Sequence, residues 1–407
     1  MTWAAAVAAS LLLGISFYVL IRWLERGQLS DVFGYQEHAA QIRAGQLPYR
    51  DFAFEYPPAA IPVELLPAYF PWSYATSFAV LMGACGAACI AAAASALRTV
   101  EAGAVRTWAG LLAIGVSPLV LGSLFDTRFD LWPTLLAVGA LAALVRDRAV
   151  TSGALLGLGF AAKLWPAVLL PIAVVHLWRR KGPTVAGITV AAFVVATAAC
   201  FVPFAILAPA GLRASLSGQL DRPLQVESLG AAVLMVAQHA GLHLNTIGSH
   251  GAQALTGRGT GLAADLSTAL EIVSVVGIWV VFARRRFVDG ETTLVAAAAT
   301  VAALVAFDKV LSPQYLIWLV PIVFLLRGRC GLASGGLVFL SLALTRTWFP
   351  WRYWNLALTY DSPWCWYLLA RDIFLVTLAG VLLFELSLAR DSATGRAGWP
   401  AARRAAA

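Results

Sequence analysis

Polar residues only briefly interrupt a nearly continuous apolar sequence. Twelve apolar runs stand out, at about 3–24, 73–97, 108–124, 130–145, 150–162, 164–178, 184–207, 265–283, 292–306, 313–326, 331–345 and 363–386. The longer ones reach the roughly 20 residues that a helix needs to cross about 30 Å of hydrocarbon. They are uniformly apolar and rich in Ala, Leu and Val instead of alternating, so they predict helices and not barrel strands. The run at 150–162 is short, which a membrane protein tolerates where the segment packs against other helices. The expected fold is an all-α polytopic membrane protein of about 12 transmembrane helices. One domain would fill 1–386, and 387–407 would form a disordered basic tail.

Two connections are long, 25–72 and 208–264. In the first, the amphipathic segment 35–44 predicts a helix whose end Gly45 could close; capping that helix is the structural alternative to a chemical role for Asp31. In the second, 228–240 predicts a helix lying on the membrane surface. The Gly-rich stretch 241–261 predicts irregular structure. No tandem repeat is visible, nor the pair of Gly/Pro-broken helices expected of an inverted-repeat transporter.

Composition agrees with the pattern. The chain is 60% hydrophobic and 12% charged, against roughly 25% charged in soluble domains. Its net charge of +8 does not point to nucleic acid, because the Arg residues sit in short clusters between runs. These are Arg146/Arg148, Arg179–Lys181, Arg284–Arg286, Arg327/Arg329 and, in the tail, Arg390, Arg396, Arg403 and Arg404. That is the positive-inside signature. It puts both termini in the cytoplasm and both long connections outside. The scarcity of Lys beside abundant Arg and Ala suggests a GC-rich bacterial genome, hence a bacterial cytoplasmic membrane. The first run is too long for a signal-peptide core and has no basic segment before it, so it reads as retained. Cys85, Cys89, Cys200, Cys330 and Cys365 are scattered and read as packing residues.

The same topology gathers charge of both signs at the outer face. Asp126, Arg128 and Asp130 fall in FDTRFDLWP, Lys163 in GFAAKLWPAVLLP, Arg222 and Glu227 in DRPLQVESLG, and Asp308 and Lys309 just before LSPQYLIWLVP. A charge at a membrane helix centre costs roughly 2.5–3.5 kcal/mol on insertion scales. An interfacial turn neutralised by its own ion pairs, within an aromatic belt, accounts for each segment singly. Together they describe an outer cavity. Its cations suit a phosphate, and a carboxylate there suits a general base toward a hydroxyl. His38 reads as a polar-face residue. His239, His243 and His250 lack an intervening HExxH glutamate, and no tight Asp-x-Asp occurs, so no cofactor is expected and a divalent metal stays open.

The first connection carries DVFGY and then GQLPYRDFAFEYPP. With RFDLWP, GFAAKLWP, RPLQVESL and SPQYLIW it resembles, in order from about residue 30 to 320, the polyprenyl-phosphate-mannose-dependent glycosyltransferases. These are bacterial members of the C-fold membrane glycosyltransferases. Five separate motifs in the family's order, the first connection counting as one, make the resemblance specific, although it fades beyond about 330. It implies an inverting enzyme that takes a sugar, mannose or another hexose or pentose, from a polyprenyl-phosphate donor. The acceptor would be a glycolipid, glycan or protein at the outer face of the bilayer. It implies that Asp31 is the general base, with Asp51 and Glu55 as rivals. Arg222, Lys309, Lys163 and Arg128 are the expected donor-phosphate ligands. Tyr35, Asp51, Glu55, Tyr56, Asp130, Glu227, Asp308, Gln314 and Tyr315 are expected to line the cavity.

Two other classes compete. A transporter or flippase for a lipid-linked or small anionic substrate would need polar residues at several depths. The chain offers only Glu271, Arg371, Asp372 and Glu385 away from the outer cluster. A structural membrane subunit without chemistry would have no use for Lys163 and Asp308 near the hydrocarbon edge.

Overall fold

The computed structural model describes residues 1–24, 29–249 and 251–388. In chain order the helices are α1 (Thr2–Val19, continued by a π turn), α2 (Val32–Arg43), α3 (Ile61–Leu65), α4 (Tyr74–Thr99), α5 (Ala104–Leu121), α6 (Leu124–Thr127), α7 (Leu131–Leu144), α8 (Ala149–Ala162), α9 (Leu170–Lys181), α10 (Pro183–Leu207), α11 (Pro209–Leu220) and α12 (Leu229–Gln238). A hairpin of β1 (Leu244–Ser249) and β2 (Ala252–Gly257) follows. The chain then continues through α13 (Thr260–Ala283), α14 (Gly290–Phe307), α15 (Leu316–Val323), α16 (Gly328–Trp348), α17 (Tyr353–Thr359) and α18 (Trp364–Leu388).

Each of the twelve apolar runs is helical, and eight of the helices are long and apolar enough to cross a membrane alone. The shorter α7, α8 and α15 are built into the interior. α8 shows how. Gly153 and Gly157 stand one turn apart, and a Cβ at either would overlap the carbonyl of Thr189 or Phe193 on α10. This small-xxx-small face lets two backbones touch, the packing that membranes favour. The Ala-rich α14 lies at the centre, with every residue from Ala296 to Val305 buried. α10 lies at the edge and buries only Ala186 and Thr189.

Polar contacts sort the connections into two ends. At one end Arg106 binds Glu291 and the Leu325 carbonyl, Arg179 donates to the Ala283 carbonyl at 2.7 Å, and Arg180 pairs with Asp147 at 2.8 Å. Asp147 also meets His176, which reaches Thr293 at 2.7 Å. The opposite end carries the two long connections.

The Gly-rich stretch is not irregular. The hairpin turns at Gly251, which takes a positive φ of 69°. Its edge is completed by residues 224–226: Leu255 N–H donates to the Leu224 carbonyl at 2.8 Å and Val226 N–H to the Gln253 carbonyl at 3.0 Å. A lone two-stranded hairpin is marginal in water, so this third partner and the buried Leu244, Ala254 and Leu255 hold it. α18 runs to Leu388, slightly past the expected domain end. The rest of the basic tail lies outside the described residues, as does His250.

Candidate active site

Asp31 stands at the N-terminus of α2 but does not cap it with its side chain. Ser30 does so instead, accepting from Val32 N–H at 3.2 Å. The Asp31 carboxylate is thereby left to Arg128, whose Nη1 lies 2.7 Å from Oδ1. Among the described residues Oδ2 meets only the Tyr35 hydroxyl, at a long 3.4 Å. Rings fix this geometry. Tyr35 packs on Phe78 and Phe129, and Tyr56 meets Phe129 edge-on with centroids 4.7 Å apart. The segments bearing Asp31 and Arg128 are thus locked to one aromatic cluster.

Asp31 opens onto a cavity of about 410 Å³. Lys163 and Arg222 supply its cations; Glu55, Glu271 and Asp308 join Asp31 as its acids. Tyr56, Gln314 and Tyr315 complete the expected wall residues found there. Lys163, at the end of α8, donates to Asp130 Oδ1 at 2.7 Å. The same oxygen accepts from Trp318 Nε1 at 2.7 Å. Lys163 lies over the rings of Phe129, Tyr315 and Trp318 at 5.1–5.5 Å. An ammonium over aromatic faces gains cation–π attraction, so this amine is held in place. Arg222, just beyond α11, pairs with Glu55. The Glu55 carbonyl in turn accepts from Ser215 and Gln219, each at 3.0 Å, which ties the first connection to α11. Burial pushes the Asp308 carboxyl up to about 6, against the Val310 amide and the nearby Arg222, Lys309 and Lys163.

A smaller cavity of about 180 Å³ adjoins the first and shares Asp31 with it. Arg128 and Glu227 lie on its wall. Tyr35 and Asp130 line neither cavity; they act from behind, on Asp31 and on Lys163.

Two expected positions need correction. Asp51 does not line the cavity. Its carboxylate turns back to accept from Leu47 N–H at 2.7 Å and to pair with Arg50 at 2.9 Å, contacts that hold it down at about 2. Lys309 does not line it either. Gln225 N–H binds the Lys309 carbonyl, and the amine reaches over the end of α11 to the Leu220 carbonyl at 3.1 Å. Arg128 is engaged by Asp31 instead of standing free for an anion. In the other direction, Glu271 on α13, an isolated intramembrane charge along the sequence, lines the main cavity with Asp308. His38 is not simply a polar-face residue: it packs against Phe52 and Phe54 and meets the buried Glu64 at 2.8 Å.

A carboxylate with one oxygen anchored and the other open, beside two held cations, is equipped for attack by a hydroxyl on a phosphate-bearing substrate. The family model of glycosyltransferase family 87 matches residues 54–313. The chain belongs to glycosyltransferase family 87. None of the curated proteins matches it. Family 87 membership makes the protein a membrane glycosyltransferase and displaces the transporter and scaffold readings. The family 87 match takes in Glu55, Arg128, Lys163, Arg222 and Asp308, while Asp31 precedes it.

Proposed function

We propose that this glycosyltransferase moves a sugar, mannose or another hexose or pentose, from a polyprenyl-phosphate donor to a glycolipid, glycan or protein hydroxyl. The reaction runs at the outer face of a bacterial cytoplasmic membrane and inverts the anomeric centre. Asp31 Oδ2 takes the proton of the acceptor hydroxyl. The acceptor oxygen bonds to the anomeric carbon, the bond from that carbon to the phosphate oxygen breaks, and its electron pair leaves with the polyprenyl phosphate. Arg222 and Lys163 stabilise that leaving charge, as cations fixed where charge develops do. The phosphate must displace Glu55 from Arg222, and the cavity's carboxylates then serve as acceptors for sugar hydroxyls.

One observation carries this reading. The Arg128-anchored Asp31 carboxylate shares a cavity with Arg222 and Lys163. The outward orientation rests on the Arg clusters that crowd the opposite end. The test compares envelope glycolipids and wall sugars from a deletion strain complemented with the native chain or with Asp31→Asn. The same missing sugar linkage in the deletion and Asp31→Asn strains is expected. A normal envelope in the Asp31→Asn strain would remove Asp31 from the mechanism.

A further inference from the structure

Asp31, Tyr35 and His38 fall at i, i+4 and i+7 of α2 and its N-cap, so they share one face of the helix. α2 is only 12 residues long and fully buries only Val32, Tyr35 and Ala39. A helix of that length is marginal by itself in water, so contacts from outside decide how it is held. One of them is directional. His38 Nδ1 lies 2.8 Å from Glu64 Oε2 on α3. The rings of Phe52 and Phe54, with centroids 5.6 and 5.0 Å away, hold the imidazole in that place.

Glu64 is fully buried, and its Oε1 meets no partner among the described residues, so the carboxylate depends on His38. A buried carboxylate without a partner is strongly unfavourable. An apolar pair of similar volume would stabilise a contact between two helices as well or better. It would not fix the rotation of α2 about its own axis, which a hydrogen bond with a preferred direction does. Glu64 is itself fixed: the Tyr74 hydroxyl, at the start of α4, donates to its carbonyl at 2.6 Å. Contacts thus run without a break from the membrane span α4 through Glu64 and His38 to α2 and Asp31. His38 and Glu64 line neither cavity. Seven residues at 1.5 Å each put His38 about 10 Å from Asp31 along the helix, so it acts on the site only through α2.

We propose that His38 is a positioning residue for the transfer reaction: held by Glu64, it sets the rotation of α2 and thereby aims the Asp31 carboxylate at the acceptor hydroxyl. Arg128 anchors one oxygen of that carboxylate, and the His38–Glu64 contact anchors the helix that carries it. This rests on the reading of Asp31 as the base given above, and it adds the residues that hold the base in register.

The test uses the purified full chain, labelled polyprenyl-phosphate mannose and, in parallel, a polyprenyl-phosphate pentose, with the envelope fraction of a deletion strain as acceptor. Turnover of His38→Ala should fall about tenfold, within the range that misplacing a reacting group produces. The half-saturating donor concentration should change less than about twofold, the split expected when only the reacting step is touched. His38→Asn carries its amide nitrogen where Nδ1 stands and should return turnover to within about threefold of native. His38→Gln carries that nitrogen one bond further out and should fall with the alanine variant. In an Asp31→Asn background, His38→Ala should lower the residual turnover less than about twofold, because residues that act as a unit are not additive. A general structural role would lower it again. Native turnover in His38→Ala overturns the proposal. So does equal turnover of the Asn and Gln variants, or a further loss of about tenfold in the Asp31→Asn background. The Asn and Gln variants decide the matter even where His38→Ala folds poorly. Native turnover in Asp31→Asn overturns the base reading, and absence of any transfer by the native chain overturns the donor reading; either takes this inference with it.

Discussion

Arg128 Nη1 lies 2.7 Å from Asp31 Oδ1, joining the turn before α7 to the start of α2. The pair ties the candidate base to a buried cation whose side chain is only 11% exposed, against 39% for Asp31. One end of the pair is therefore fixed and the other is open to substrate. In the proposed mechanism Arg128 therefore serves to position the base.

Arg128→Gln separates those roles. Small misplacements of a reacting group reduce rates by up to about 100-fold. Turnover should fall about 10- to 100-fold while the half-saturating donor concentration changes less than about twofold. Steady-state kinetics with varied donor check this. A large rise in donor requirement at near-normal turnover would return Arg128 to the phosphate.

Arg222 and Lys309 make a matched comparison. Arg222 lines the main cavity and Lys309 reaches the Leu220 carbonyl outside it. A hydrogen bond to a charged group contributes about 1.5–3 kcal/mol, so Arg222→Gln should raise the half-saturating donor at least about tenfold. Lys309→Gln should leave it within about twofold. Equal effects of the two would place the phosphate elsewhere.

Orientation can be read by labelling. With the five native cysteines replaced by alanine, a cysteine at Arg258, in the turn between β2 and α13, should react with an impermeant maleimide on intact cells. A cysteine at Arg329, at the start of α16, should react only after permeabilisation. Both positions are exposed. The reverse pattern would put the active site in the cytoplasm.

Glu227 gives stability a pH dependence. Burial pushes its carboxyl up to about 7, with hydrogen bonds from Gln225 and the nearby Arg371 pulling the other way. An acid whose folded value is raised stabilises the fold fully below its unfolded value. That stability is lost as pH rises through the folded value. At about 1.36 kcal/mol per unit, the loss between pH 4.5 and 8 is at most about 3 kcal/mol. Glu227→Gln stays neutral and escapes this loss. Its Tm relative to the native chain should therefore rise from pH 5 to pH 8. A constant difference across that range would mean that Glu227 does not titrate on folding.

The sequence told more about the fold than about the site. Membrane spans are legible because hydrocarbon demands long apolar helices whatever the neighbours. The hairpin at 244–257 was not, because its Gly content masks strand pairing that depends on the distant residues 224–226. Within the site, sequence brings charges to a face but does not aim them. Asp51 and Glu55 lie four residues apart, yet one closes on Leu47 and Arg50 while the other meets Arg222. Glu271 looked isolated because only the rotation of α13 against α14 turns it toward Asp308. Arg128 looked neutralised by its acidic neighbours, whereas Lys163 takes Asp130 and leaves Arg128 to Asp31.

Asp31→Asn tests the chemistry most directly. The substitution keeps the size of the side chain and an oxygen for Arg128, but it removes the basicity. The carboxylate does not cap α2, so helix stability should not fall with it. Arg222 and Lys163 remain for the phosphate, so the half-saturating donor concentration should change less than about twofold. General-base contributions are typically about 100- to 10,000-fold. Turnover should therefore drop at least about 100-fold, or about 2.7 kcal/mol in barrier at 1.36 kcal/mol per tenfold. The measurement is single-turnover transfer with saturating donor, on protein matched for amount and thermal stability. A variant that keeps more than about a tenth of native turnover would exclude Asp31 as the base. Glu55 would then be the acid to test next, because it lines the same cavity and Asp51 does not.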